Sequence, residues 1–200
     1  VELLRDGSFI GVLAAREEVA VAAIGHLETL VTWHLPSSLP NCADLKTFLT
    51  SAPSEQRTVD ALEAKAPSPP GLTRFESWYQ RPYIAHASIG PSCALAQWTD
   101  NKLEIWSHSQ GIYNLKSDIE VFLRREFGDA EMPALVIHHV EGAGCYGHNP
   151  ADDVAFDVAL LARHAKGRPV RLLWSRAAEL SCGPSGSAHL VKIEAGLADD

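Results

Sequence analysis

The four cysteines of this 200-residue chain (Cys42, Cys93, Cys145, Cys182) lie far apart and form no C-x-x-C pair. That spacing argues against a disulfide framework at this length. No run of lysine and arginine offsets a net charge of -8, which argues against nonspecific nucleic-acid binding. No apolar run reaches the ~18 residues that a membrane span needs. The first residue is Val rather than Met, and Val1-Glu-Leu-Leu-Arg-Asp-Gly-Ser-Phe-Ile already reads as structured chain. The expectation is an internal piece of something longer, which leaves localisation, periplasmic or cytoplasmic, unreadable. What is present is apolar residue, at 46%, enough for one good core or two small domains.

Residues 1–35 are expected to form β-turn-β-α-β. Arg5-Asp6-Gly7-Ser8 is the hairpin signal, and residues 16–30 carry a helical stripe of Val19, Ala22, Ala23 and Leu27. Pro36 and Pro40 interrupt the pattern, and a short helix is expected near Asp44–Leu49. Residues 51–71 are rich in Ala, Pro, Ser and charge, and read as a surface connection. From Leu72 strands dominate. Thr73–Gln80 alternates, and Ser92–Trp98 with Lys102–Ser107 reads as a hairpin. A helix over 111–127 has the stripe Ile112, Leu115, Ile119, Phe122 and Leu123, closed by Gly128. Residues 181–187 read as a loop. A last strand, 188–195, is expected to find no partner within this chain.

The rest of the chain is organised around Glu141-Gly-Ala-Gly-Cys-Tyr-Gly-His-Asn-Pro150. The apolar run Ala134–Ile137 leads into it and a helical pattern from Ala151 leaves it. Strand, glycine turn, helix is thus expected, then a strand at Val170 reached by a parallel crossover. Three glycines in residues 142–147 permit positive φ and close approach of a ligand to the main chain. Free N–H groups at a helix start suit an anion. Ser107-His-Ser-Gln-Gly111 is a second strand-to-helix turn, and the Gln110 amide there can donate to an oxo or anionic ligand. The bland alternative makes Ser109 a helix cap and leaves Gln110 solvated. Should the strands before Gln110 and Glu141 lie side by side, both turns open at one sheet edge, where α/β sheets bind ligands. Cys145 and His148 have a usable zinc spacing without an evident full ligand set. Cys145 could also serve as a nucleophile with His148 or His108 as base. Asp152 and Asp153 favour the dipole of the helix they open.

Four blocks carry a resemblance. They are Arg81-Pro-Tyr-Ile-Ala-His-Ala-Ser-Ile-Gly-Pro-Ser-Cys-Ala-Leu-Ala, Trp106-Ser-His-Ser-Gln-Gly, Glu141-Gly-Ala-Gly-Cys-Tyr-Gly-His-Asn, and Gly167-Arg-Pro-Val-Arg-Leu-Leu-Trp-Ser-Arg. In this order they resemble the molybdopterin-binding large subunit of the xanthine oxidase family, within it the isoquinoline 1-oxidoreductase β-subunit group. The resemblance implies an α+β chain. Residues 1–50 would be the tail of an α/β-hammerhead-like domain, 51–71 a linker, and 72–200 the first part of a molybdopterin-binding domain. It implies hydroxylation of an N-heterocycle or aldehyde with water-derived oxygen. The cofactor would be molybdenum–molybdopterin in its cytosine dinucleotide form. Partners would be a small subunit with 2Fe–2S clusters, the remainder of the large subunit, and a c-type cytochrome acceptor. Gln110 would hydrogen-bond the metal's oxo group. Gly144, Cys145, Tyr146 and Gly147 would hold the cofactor, and Tyr146, His148 and Asn149 would line the substrate pocket. None of these residues would be catalytic or bind metal directly, because the family's catalytic Glu lies downstream of the matching stretch. In the wider family the loop often reads Gly-Gly-Gly-Phe-Gly-Gly-Lys-Glu. Cys145, Tyr146 and Asn149 depart from that and point away from a purine. The competing expectations are a non-catalytic fold remnant that binds no cofactor, and a Cys145-based or zinc hydrolase.

Overall fold

A computed structural model describes residues 1–34, 43–59, 71–165 and 167–198. The proline breaks at 36 and 40, Cys42 and most of the expected 51–71 connection lie outside these residues. In chain order the elements begin with β1 (Glu2–Asp6), β2 (Phe9–Leu13), α1 (Glu17–Glu28) and α2 (Leu45–Ser51). Next come β3 (Thr73–Arg81), β4 (Ile84–Ala85), β5 (Cys93–Thr99), β6 (Lys102–Ser107), α3 (Ile112–Phe127) and β7 (Ala134–His139). The last are α4 (Ala151–Arg163), β8 (Val170–Leu173), α5 (Arg176–Cys182), β9 (Ser185–Gly186) and β10 (His189–Leu197). The class is α+β, as expected.

The chain divides into two compact units, one of residues 1–34 with 85–186 and one of 35–84 with 187–200. The first is built on a four-stranded mixed sheet in the order β7-β6-β5-β8. β5 and β6 form the expected hairpin, and β6 runs parallel to β7 with Ser107 opposite His139. β8 pairs antiparallel with β5, so it points the same way as β7. The crossover through α4 is therefore parallel, but it spans two strands rather than joining neighbours.

Alternation along the hairpin decides which face is buried. Ala94, Ala96, Leu103 and Ile105 are fully buried, while Leu95 on the opposite face of the sheet stays 38% exposed. α3 covers the buried face with Leu115, Ile119 and Leu123, which recur at helical spacing. α4 adds Val154, Ala155, Val158 and Ala162. Gly128 ends α3 at φ 73°, a conformation glycine takes without strain. β1 and β2 form the expected hairpin about Gly7. Gly11 of β2 lies against Leu161 of α4, where a Cβ would not fit.

The second unit is an antiparallel ribbon of β3 and β10, with His189 opposite Arg81 and Leu197 opposite Thr73. This corrects the expectation that the last strand has no partner. Its partner lies more than a hundred residues upstream, where alternation within one strand says nothing about pairing. α2 begins at a side-chain cap, Asp44 accepting from Thr47 N–H at 3.0 Å. Lys46 sits 4.6 Å from the centre of the Trp78 ring. Two further expectations fail. Described residues 31–34 form no strand, and 176–182, partly read as loop, form the helix α5. Among the described residues no helix is long and apolar enough to cross a membrane.

Candidate functional site

The parallel pairing of β6 and β7 places their two following turns at one end of the sheet. Residues 108–111 leave β6 and residues 140–150 leave β7. This is the side-by-side arrangement that the sequence made conditional. Val140 N–H donates to the Ser107 carbonyl at 3.0 Å and ties the two turns at their base.

Gly144 and Gly147 take φ of 96° and 112°, backbone that glycine adopts without strain. Asn149 braces it from beneath. Its amide Nδ2 donates to the Gly144 carbonyl at 3.0 Å, and its Oδ1 accepts from Ala151 N–H at 3.3 Å, opening α4. Asn149 is buried, whereas Tyr146 is 63% exposed and His148 is exposed. His148 Nε2 stands 3.4 Å from Asp152 Oδ2, one turn into the helix. Among the described residues, no hydrogen bond takes a backbone N–H of residues 141–149. Such unpaired donors at a helix start are suited to an anion. Gln110, in the turn that leaves β6, is exposed. Ser109 is buried and its hydroxyl accepts from Gly111 N–H at 2.9 Å. The cap of α3 is Gly111, with Ser109 closing the turn before it.

Two histidines cradle the loop. The buried His108 ring underlies Gly142, where a Cβ would sit 2.7 Å from Nδ1. His86, from the segment before β5, closes on Gly147 and leaves no room for a side chain there. Gly90 approaches Ala143 in the same way, within 2.8 Å of a Cβ. The backbone of 86–93 is fixed in turn. Glu179 of α5, itself buried, accepts a short bond from Ser92 N–H. Cys93 N–H donates to His108 Nε2 at 3.3 Å, and Arg176 donates to the Ile89 carbonyl at 2.7 Å. All four blocks of the resemblance therefore meet at this place.

The sequence assigns His86 no role of its own and does not single out Glu179. The signal for His86 was its place in the first block. Glu179 carried no local signal, since its partner is 87 residues away. The Cys145 thiol has only acceptors near it, the His108 carbonyl at 3.8 Å and Asn149 Oδ1 at 3.7 Å. A cysteine–base pair is not assembled among the described residues, nor is a cluster of three or more metal-ligating side chains. A separate cleft of about 460 Å³ lies between α3 and α4, lined by Leu115, Phe122, Phe156 and several aspartates. Burial pushes the Asp153 and Asp157 carboxyls up. Of the loop's contacts only Asp152 reaches this cleft, so the glycine loop is the better site.

Burial holds His108 below the usual imidazole range, against the opposing pull of Glu179 and Asp152. A depressed imidazole pKa means the unfolded chain binds the proton more tightly. Stability is therefore full above the ordinary imidazole value and falls as pH drops through it. Urea unfolding at pH 7.5 and 5.5 should show this loss in the native chain, and a smaller loss in His108→Gln.

Sheet, glycine turn and flanking histidines define an α+β domain with a backbone donor cradle at the sheet edge. Residues 64–200 match the molybdopterin cofactor-binding domain, and the chain belongs to that family, as the xanthine oxidase-type resemblance implied. The chain is 39% identical over 202 residues to a nicotinate dehydrogenase subunit of Pseudomonas putida. That match spans 100% of this chain and 16% of that relative. Among solved structures it is similar to quinoline 2-oxidoreductase from Pseudomonas putida 86, with 20% identity and a TM-score of 0.38 over 52% of this chain and 13% of that one. It is also similar to aldehyde oxidoreductase from Desulfovibrio gigas, with 21% identity and a TM-score of 0.39 over 61% of this chain and 13% of that one. The donor cradle fits the family's group on its own terms. Side-chain-free glycines at 142 and 147 and free N–H groups suit an oxygen-rich anion.

Proposed function

We propose that this chain forms one wall of the cofactor site in a molybdenum hydroxylase that oxidises an N-heterocycle or aldehyde. The observation that carries this is the row of unpaired N–H groups over 141–149, held open at a sheet edge beside Gln110. When bound, the molybdenum group supplies the redox chemistry of hydroxylation. The chain's residues bind and orient. Backbone N–H groups of Gly144, Cys145, Tyr146 and Gly147 would hold its oxygens, preorganised by the two positive-φ glycines and Asn149. The Gln110 amide would donate to an oxygen of that group. Tyr146 and His148 line the substrate pocket, and Asn149 shapes it from below. The 39% identity to a nicotinate dehydrogenase subunit favours a pyridine-type substrate. The proposed assembly adds the remainder of a large subunit, a small subunit with 2Fe–2S clusters and a c-type cytochrome acceptor. The proposed cofactor form is the cytosine dinucleotide. The proposed division remains 1–50, 51–71 and 72–200.

Replacing Gln110 by Ala should lower substrate oxidation by the assembled enzyme about tenfold to a hundredfold, the effect of losing one charge-assisted donor. Steady-state rates with unchanged molybdenum content would support the role. Unchanged rates would remove Gln110 from the site.

A further inference from the structure

The cleft between α3 and α4 carries a charge that the described residues do not answer. Its floor is apolar. Phe122 of α3 and Phe156 of α4 meet edge to face at 5.1 Å, and the buried Leu115 and Ile119 line it with them. Val121 lines it too and is 62% exposed. Asp118, Asp152, Asp153 and Asp157 border the same cleft, against a single cation, Arg125. The other cations of α3 are engaged elsewhere, Lys116 with Glu120 and Arg124 with Glu120 and Asp129. Among the described residues no lysine or arginine forms an ion pair with Asp118, Asp153 or Asp157. Burial pushes the Asp157 carboxyl up although Trp174 Nε1 donates to it at 3.2 Å, and the Asp153 charge beside it pushes the same way. Carboxylates drawn partly out of water are costly unless a cation comes to them. An apolar floor beside an acidic wall suits lysine or arginine, whose aliphatic stem packs while the charged head pairs.

We propose that the α3–α4 cleft is a docking groove for a polypeptide segment with lysine or arginine on an apolar face, and that this segment belongs to the remainder of the large subunit. The source of the segment rests on the cofactor-site reading above. The chain spans 16% of the nicotinate dehydrogenase subunit it is similar to, so an assembly of that kind holds far more polypeptide than this chain. A basic occupant also complements a chain of net charge -8. The groove begins at Asp152, whose Oδ2 stands 3.4 Å from His148 of the glycine loop. A segment docked there braces the start of α4, the helix on which that loop ends.

The test is made in the assembled enzyme and has two arms. In the first, a photoreactive benzoylphenylalanine is placed at Val121, an exposed residue of the groove. Irradiation should link this position to a lysine- or arginine-bearing segment of the remainder of the large subunit, located by mass spectrometry of the joined peptides. Linkage to the small subunit or to a second copy, a linked segment without lysine or arginine, or no linkage would overturn the proposal. In the second, Val121→Lys and Val121→Glu put opposite charges at the same exposed place. The yield of assembled enzyme should fall roughly tenfold for Lys, which meets a like charge, and stay within about twofold for Glu. Equal yields, or a larger loss for Glu, would show that no cation lies there and overturn it. Molybdenum is measured on the same material. Molybdenum without linkage ends the groove proposal alone, whereas linkage without molybdenum leaves the groove standing and sinks the cofactor-site reading.

Discussion

Replacing Gly142 by Ala is expected to displace the glycine loop and to cost the assembled enzyme about a hundredfold in rate, the usual effect of a 1 Å misplacement in a site. The reason is steric. Its φ is not in the left-handed region, so Ala suffers no backbone strain there. The new methyl instead meets the His108 ring, which is buried and pinned by Cys93 and cannot swing away. Overpacking of this kind costs about 1–3 kcal/mol. Chemical denaturation should show that loss. Pairing Gly142→Ala with His108→Ala should cost less than the sum of the two single changes, because the smaller side chain makes room. Strict additivity would mean that the two residues do not touch.

Replacing Glu179 by Ala should destabilise the chain by about 2–3 kcal/mol, since it strands the buried Ser92 N–H and opens a void beside it. Glu179→Gln keeps an acceptor in the same place and should cost much less. The change should also reach the site, because Ser92 and Cys93 hold the segment that presses Gly90 and His86 on the loop. Denaturant midpoints for the two variants decide this. Equal losses would show that the hydrogen bond is not what Glu179 contributes.

Both predictions concern contacts that the sequence did not announce. Periodicity exposed the elements that bury one clean face: the β5–β6 hairpin, α3 and α4. The glycine turn was legible because three glycines between an apolar run and a helical pattern have few other uses. Even the adjacency of β6 and β7 could be framed as a condition. What stayed hidden depends on partners distant in the chain. Glu179 sits on a seven-residue helix beside Gly183 and Pro184, a composition that reads as loop. β10 alternates well, yet nothing in it names β3. Residues 31–34 are apolar enough for a strand but pair with no other strand among the described residues, and propensity yields to the missing neighbour. At the site, the bond from Cys93 N–H to His108 Nε2 and the packing of Gly142 on the same ring emerge only once distant segments are brought together.

The central claim is that this chain holds part of a molybdenum site, and metal analysis of the native assembly tests it most directly. The chain would be purified gently with whatever accompanies it, and molybdenum measured by mass spectrometry alongside nucleotide released by acid. Near-stoichiometric molybdenum, with iron on a co-purifying subunit, is the predicted result. A folded chain recovered alone and without molybdenum would contradict the account and leave a fold remnant that binds no cofactor.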